Sequence, residues 1–320
     1  MSKWPRGLTG NSGDSLGKKN MVQISVVIPS YNSQDYLPDT LEGLSRQRFD
    51  GEFEVVLVDC SETDVVKKLC DCYHFVRYEY VSERFSPGVG RNIGAEIGQG
   101  VLLAFLDSDV VLLPNSLQNA WNHYSSGNEV FGGALELNEK VGTTIASYFE
   151  HYYYNHESQR HRPVCQRSNL SSALMFVDRK VFIEHGGFKD IPRIQDTEFT
   201  ERLVKHGYSL SFTPLAVGLQ IQDSSFNKVL RKIHISGRNL YFVRYQGRSP
   251  GNKILLFLFL PLLTLLKILR IVCRHLTYQN ARNRLITILL TPLFLLGGVF
   301  WMGGLYRSMI FGGGISARRD

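Results

Sequence analysis

The sequence predicts an α/β protein built on a mostly parallel sheet with helices on both faces, followed by a helical segment that meets a membrane. Three observations carry this expectation. β-branched strand patterns alternate with helix-period segments from residue 22 to residue 113, the rhythm of parallel strands joined by crossovers. The strand patterns end in hydroxyls and carboxylates, at Tyr31, Asp59 and the pair Asp107 and Asp109, and ligands of such sheets bind beyond the carboxyl ends of strands. Two long apolar stretches then close the chain between cationic flanks, as membrane-crossing helices do.

Residues 1–20 are polar and rich in Gly, Ser and Lys, which reads as a flexible tail rather than a signal peptide. Val22 to Pro29 (VQISVVIP) is the first strand, and Ser30-Tyr31-Asn32-Ser33 is a loop offering hydroxyls and a helix cap. Leu37, Leu41 and Leu44 give helical spacing to residues 34–47. Phe53 to Asp59 is a second buried strand ending in a carboxylate, a helix runs through Val65, Val66 and Leu69, and His74 to Val81 is a third strand. In the segment 86–98, Gly88 and Gly90 permit a tight backbone approach, and Gly94 and Gly98, four apart, form a thin helix face. Arg91 sits in the first turn of that helix. The helix dipole disfavours a cation there, so the placement points to a compensating anion, or to an ordinary surface arginine.

Val101 to Pro114 (VLLAFLDSDVVLLP) organises the chain. An apolar strand, buried on both faces, is interrupted by Asp107-Ser108-Asp109, and unpaired carboxylates in a core lose their hydration. Alternation along a strand sends Asp107 and Asp109 to one side and turns Ser108 away. Two such oxygen ligands suit Mg²⁺ or Mn²⁺ bridging to phosphates; the alternative is a solvated turn.

Residues 115–125 form a helix leaving this site, and Glu129 to Leu137 a strand. Ile145 to His156 (IASYFEHYYYNH) is strongly aromatic, suited to an acceptor groove or to the core. His151 and His156 lack partner ligands and receive no metal. Gln166 to Asn169, before a strand over Ser172 to Val177, sit where they can border the acceptor. Asp196 follows Gly186-Gly187-Phe188 and a loop containing Pro192, just before a helix through Phe199 and Leu203. Locally it reads as a helix cap or a catalytic carboxylate, with Glu198 as the fallback.

The formal charge of +7 and pI of about 9.1 suit nucleic acid, an anionic substrate or an acidic membrane face, and the positions of the cations favour the last over nucleic acid. Residues 226–245 mix apolar residues with Lys228, Arg231, Lys232, Arg238 and Arg244, the pattern of a helix lying in the bilayer interface, or of a solvated helix on the preceding domain. Ile254 to Val272 and Leu285 to Tyr306 are long enough for a hairpin of membrane spans. Arg238, Arg244, Arg248 and Lys253 before it, with Arg307, Arg318 and Arg319 after it, outnumber Arg274, Arg282 and Arg284 between the spans. That asymmetry puts the preceding domain in the cytoplasm. The odd set of five cysteines, without a CxxC pair, reads as reduced thiols.

VVIPSYN (26–32), VVLVDCSETD (55–64), GRNIGAEIGQG (90–100), FLDSD (105–109), GGF (186–188) and QDTEFTERL (195–203) together resemble the family 2 glycosyltransferases over residues 22–222. The resemblance implies a GT-A fold with a nucleotide-sugar-binding half at 21–115 and an acceptor half at 116–222; by composition and apolar length an interface segment follows at 223–250 and a membrane hairpin with a short tail at 251–320. It implies that Pro29, Tyr31, Asp59, Arg91, Asp107 and Ser108 bind a nucleoside diphosphate sugar, that Asp107 and Asp109 hold Mn²⁺ or Mg²⁺, and that Asp196 is the catalytic base. Two positions depart from the family: Asp59-Cys60-Ser61-Glu62 stands where Asp-Asp-Gly-Ser is frequent, and Gln195-Asp196 where Glu-Asp is usual. The implied reaction is inverting transfer of one sugar to the hydroxyl of a lipid-linked or membrane-proximal glycan, in cell-surface polysaccharide or glycolipid assembly. A diphosphate neutralised by a cation leaves without a general acid, so only the incoming hydroxyl needs a base. Transfer to a polyprenyl phosphate, or an idle membrane scaffold with the same fold, are the alternatives. Two spans are too few for a polymer channel, so no processive synthase is expected.

Overall fold

The computed structural model describes residues 21–140, 143–191 and 193–312; the tail at 1–20, Pro192, Arg318 and Arg319 lie outside them. In chain order the elements are β1 (Ile24–Ser30), α1 (Leu37–Ser45), β2 (Phe53–Asp59), α2 (Val65–Cys70), β3 (Val76–Tyr80), α3 (Pro87–Ile97), β4 (Leu102–Leu106) and β5 (Val110–Leu112). There follow α4 (Ser116–Ser125), β6 (Val130–Leu137), α5 (Ile145–Tyr154), β7 (Cys165–Arg167), β8 (Leu174–Asp178), α6 (Arg179–Glu184), α7 (Gln195–Lys205) and β9 (Leu210–Gln220). Three helices end the described chain: α8 (Phe226–Arg244), α9 (Pro250–Tyr278) and α10 (Ala281–Phe311).

The nine strands form one mixed sheet in the order β3-β2-β1-β4-β8-β6-β9-β5, with β7 on β9. The first four are parallel, as the alternation predicts. β8 runs antiparallel to both β4 and β6, and β6 is parallel to β9. β9 is absent from the sequence reading because Pro214 interrupts its pattern. The structure accommodates that proline where the β6 register jumps, Phe212 facing Gly132 and Val217 facing Ala134.

The expected single strand over residues 101–113 is two. β4 ends at Leu106, residues 107–109 turn, and β5 pairs antiparallel with β9. Charged side chains in mid-sheet would lose their hydration, so the chain leaves the sheet where they occur. Thr40 Oγ1 donates to the Ser108 carbonyl at 2.9 Å, anchoring the turn to α1.

Apolar cores lie on the two faces of the sheet. Leu37, Leu41 and Leu44 of α1 pack with Ile28, Leu57 and Leu106; Phe182, Phe188 and Phe199 pack with Phe105 and Val27 on the other. The thin face of α3 is real: a Cβ on Gly94 would lie 2.3 Å from Val27 Cγ1. Gly88 and Gly90 serve packing inside α3 instead of an unusual backbone angle, since neither is among the positive-φ glycines.

α9 and α10 have mean hydropathies of 2.4 and 2.2 over their most apolar windows. At about 1.5 Å per residue, their 29 and 31 residues extend about 44 and 46 Å, more than a bilayer's hydrocarbon core. Their outward faces carry exposed Leu, Ile and Phe, among them Leu258, Phe259, Leu262, Leu289 and Leu295. α8 does not offer a free apolar side to lipid. Val229 and Ile233 pack with Phe149 of α5, Ile268 of α9 and Phe294 of α10. α8 and α10 approach so closely that a Cβ on Gly304 would fall 2.1 Å from the His234 carbonyl oxygen.

Candidate active site

A cavity of about 880 Å³ opens beyond the carboxyl ends of the parallel strands and is within the range of small-ligand sites. Pro29, Tyr31, Arg91, Asp107, Ser108, Asp109 and Asp196 all line it. The structure therefore brings together every predicted site residue except Asp59. That carboxylate is fully buried, accepting from Ser61 Oγ at 2.7 Å and Tyr78 OH at 3.0 Å, and it does not line the cavity. Ser108, expected to turn away, lines the cavity with its neighbours, because the three residues form a turn and strand alternation does not apply.

Arg91 is buried at 2% exposure, and its Nη2 donates to Asp107 Oδ1. The anion anticipated for Arg91 is thus a carboxylate of the chain itself, although Arg91 is the fifth residue of α3 and not in its first turn. Nε and Nη1 of Arg91 are buried without a partner, donors that an incoming anion can satisfy. At the rim, the Arg84 guanidinium lies 4.2 Å from the centre of the Tyr31 ring.

Asp109 sits deepest in the turn. Oδ1 is buried and accepts no hydrogen bond. Burial first, then the Asp107 charge, push its carboxyl from an ordinary 3.8 up to about 7, against a hydrogen bond from Gln220. The Gln220 amide is itself oriented by Asn155, whose Nδ2 donates to Oε1 at 2.9 Å. Asn155 and Gln220 escaped the sequence reading; β9, where Gln220 sits, carried no recognisable strand pattern to bring it to the site. Among the described residues no group of three or more His, Cys, Asp or Glu is disposed to hold a metal. The turn offers two carboxylates, one with an orphaned buried oxygen, which fits a hard divalent cation whose remaining ligands are water and phosphate oxygens.

Asp196 occupies the second position of α7, one residue inside the helix. The cap position belongs to Ile194, at φ 56°, directly after Arg193 at φ 59°. Two successive non-glycine residues in the left-handed region are strained, a feature that clusters at functional sites. Asp196 Oδ1 accepts from Thr197 N at 2.7 Å and Oδ2 from Ser172 N at 3.3 Å. Burial raises its pKa, opposed by these two amides. Glu198 is no substitute. Although burial works to raise its pKa, Arg202 at 3.0 Å and Lys189 at 2.7 Å hold its carboxyl below the usual range, and it lies outside the cavity lining.

The segment guessed from position alone also arrives: Arg167, Ser168 and Asn169 line the cavity, whereas Gln166 does not. The aromatic helix divides its work. Phe149, Tyr152 and Tyr153 join the core with α8, α9 and α10, while Tyr153, Tyr154 and His156 also reach the cavity.

The sequence profile described as glycosyl transferase family 2 matches residues 25–186, half of the chain. The chain belongs to this family. Over 65% of its length it is 26% identical to glycosyltransferase AglE of Haloferax volcanii, covering 70% of that protein. It is 33% identical over 105 residues to the poly(ribitol-phosphate) β-N-acetylglucosaminyltransferase TarS of Staphylococcus aureus, only 18% of that longer chain. The crystal structure of TarS 1–349 superposes with a TM-score of 0.52 at 17% identity, covering 93% of this chain and 94% of that one; its UDP complex gives 0.50. The fold of this glycosyltransferase is GT-A, with two apolar C-terminal helices appended.

Proposed function

We propose that this glycosyltransferase transfers one sugar, with inversion, from a nucleoside diphosphate sugar to a hydroxyl of a membrane-associated acceptor. The observation that carries this is the single cavity joining the Asp107-Ser108-Asp109 turn, Arg91 and Asp196. Pro29 and Tyr31 bound the nucleoside, with Arg84 over the tyrosine ring. The unpartnered Nε and Nη1 of Arg91 receive diphosphate oxygens. Asp107 and Asp109 hold Mn²⁺ or Mg²⁺, which when bound neutralises the departing diphosphate. Asp196 takes the proton of the attacking hydroxyl; its burial-raised pKa brings its basicity nearer to neutral pH. The likeness to TarS, whose crystal structure holds UDP, supports a uridine donor.

The α9–α10 hairpin anchors the enzyme, and its cationic flanks support a cytoplasmic catalytic domain; Arg274 and Arg282, counted between the spans, pair with Glu157 and Glu139 of that domain and so lie on its side. The acceptor is then a lipid-linked or membrane-proximal glycan in cell-surface polysaccharide or glycolipid assembly. Donor turnover with Mn²⁺ present tests the enzyme reading: Asp109→Ala abolishes it if the turn holds the cation, and unchanged turnover would sink that assignment. Arginines around the cavity also make a phosphate acceptor chemically reasonable. Asp196→Asn separates the two, because transfer to a hydroxyl falls by about 10²–10⁴ whereas an anionic phosphate attacks without a base.

A further inference from the structure

α9 does more than anchor the chain. Leu263, Leu266, Lys267, Arg270 and Arg274 all line the catalytic cavity, and their spacing of three and four places them on one helix face. Read along α9, this face passes from apolar to cationic over about 16 Å. The cations are poorly compensated. Lys267 forms no ion pair with any described residue; its Nζ donates to the Tyr153 hydroxyl at 3.0 Å and lies 4.3 Å from the Trp301 ring centre. Arg270 is exposed and likewise has no carboxylate partner among the described residues. Arg274 shares the single carboxylate of Glu157 with Arg167.

Uncompensated cations on an otherwise apolar helix are unfavourable unless they meet an anion or water. Cations that merely snorkel to head groups would point outward around the helix. These face the same chamber as Asp196. The chemistry that matches the stripe is amphiphilic: a hydrocarbon chain beside Leu263 and Leu266, and a multivalent anion beside the three cations, bound by charge-assisted hydrogen bonds.

We propose that this face of α9 binds the lipid carrier of the acceptor, with its phosphate or diphosphate on Lys267, Arg270 and Arg274 and its isoprenoid or acyl chain along Leu263 and Leu266. The acceptor end of the carrier then projects toward Asp196. This assignment rests on the reading of the cavity as a transferase site.

Farnesyl diphosphate is the probe, titrated calorimetrically into the detergent-purified full chain with UDP and Mn²⁺ present to occupy the donor side. Farnesyl diphosphate binds, and farnesol and inorganic pyrophosphate each bind at least about tenfold more weakly, since each lacks half of the recognised chemistry. Arg270→Glu and Lys267→Gln weaken farnesyl diphosphate by at least about tenfold, while Arg270→Lys restores most of the affinity. UDP binding is unchanged in all three variants. Wild-type affinity in both Arg270→Glu and Lys267→Gln, or equal affinity for farnesol, overturns the carrier site. Equal competition by phosphatidylglycerol in nanodiscs overturns it in favour of a bulk lipid contact. Failure of the wild type to bind any nucleoside diphosphate instead strikes the transferase reading, and the farnesyl diphosphate titration still decides the α9 site.

Discussion

Replacing Asp109 with asparagine should make the metal-free protein more stable while it destroys transfer. The folded state holds a proton on this carboxyl up to about pH 7, because burial and the neighbouring Asp107 charge oppose ionisation. The unfolded chain releases the same proton near 3.8. As pH rises between these values the unfolded state becomes progressively favoured, and above pH 7 the whole charging penalty is present. At about 1.4 kcal/mol per pH unit, that penalty is on the order of 4 kcal/mol. Asparagine avoids it at every pH and can still accept from Gln220, although relaxation and the loss of a good fit reduce the net gain to about 1–3 kcal/mol. In a chain of 320 residues that raises Tm by about 1.5–4.5 °C. Differential scanning fluorimetry in EDTA, for wild type and Asp109→Asn from pH 4.5 to pH 8, reads the difference directly. The gain should be largest at pH 8 and shrink toward pH 4.5. A variant no more stable than wild type at pH 8, or a gain independent of pH, would refute the account of Asp109 as a buried charge kept for its ligand.

Gln220→Leu removes the amide that holds Asp109 and takes one of the two partners of the Asn155 amide nitrogen; Mn²⁺ affinity, read from the metal-dependent rise in Tm, should fall about 10–100-fold. Arg91→Met leaves Asp107 beside Asp109 without its cation. Its metal-free Tm should correspond to a loss of about 2–4 kcal/mol, at the mild end because Asp107 is 32% exposed, and Mn²⁺ should recover more of it than in wild type. Gly304→Leu drives a side chain into the His234 carbonyl of α8, 2.1 Å from its Cβ. It should lower Tm by the equivalent of at least about 1–3 kcal/mol, whereas Gly303→Ala, whose Cβ comes no closer than 3.9 Å to a neighbour, should leave Tm nearly unchanged.

Much of this was legible from residue order because it is local. A β-branched run such as Val26 to Ile28 has few conformations open to it, and the repeat of Leu37, Leu41 and Leu44 selects a helix face without reference to the rest of the chain. The carboxylates ending such runs pointed to the correct edge of the sheet, and the aspartates at 107, 109 and 196 do share one cavity. Arg91 is the fifth residue of α3, past the first turn where the helix dipole acts, so the dipole argument does not account for its anion; the partner is Asp107, brought to it by packing. Asp59 looked equivalent to the other strand-end acids, yet Ser61 two residues on and Tyr78 of β3 enclose it, the second a contact set by which side chain stands on the neighbouring strand.

What residue order determined by itself was the alternation of elements, the acidic turn and the two apolar helices, each of which depends on neighbours within a few positions. The tertiary structure alone decided that residues 101–113 split between two parts of the sheet, that α8 is covered by α10, and that Gln220 reaches Asp109. It also decided that the cationic face of α9 opens into the cavity that holds Asp196. Those outcomes depend on contacts between residues far apart in the chain, which periodicity cannot encode: a helix pattern specifies that a face exists, and only packing specifies what that face meets.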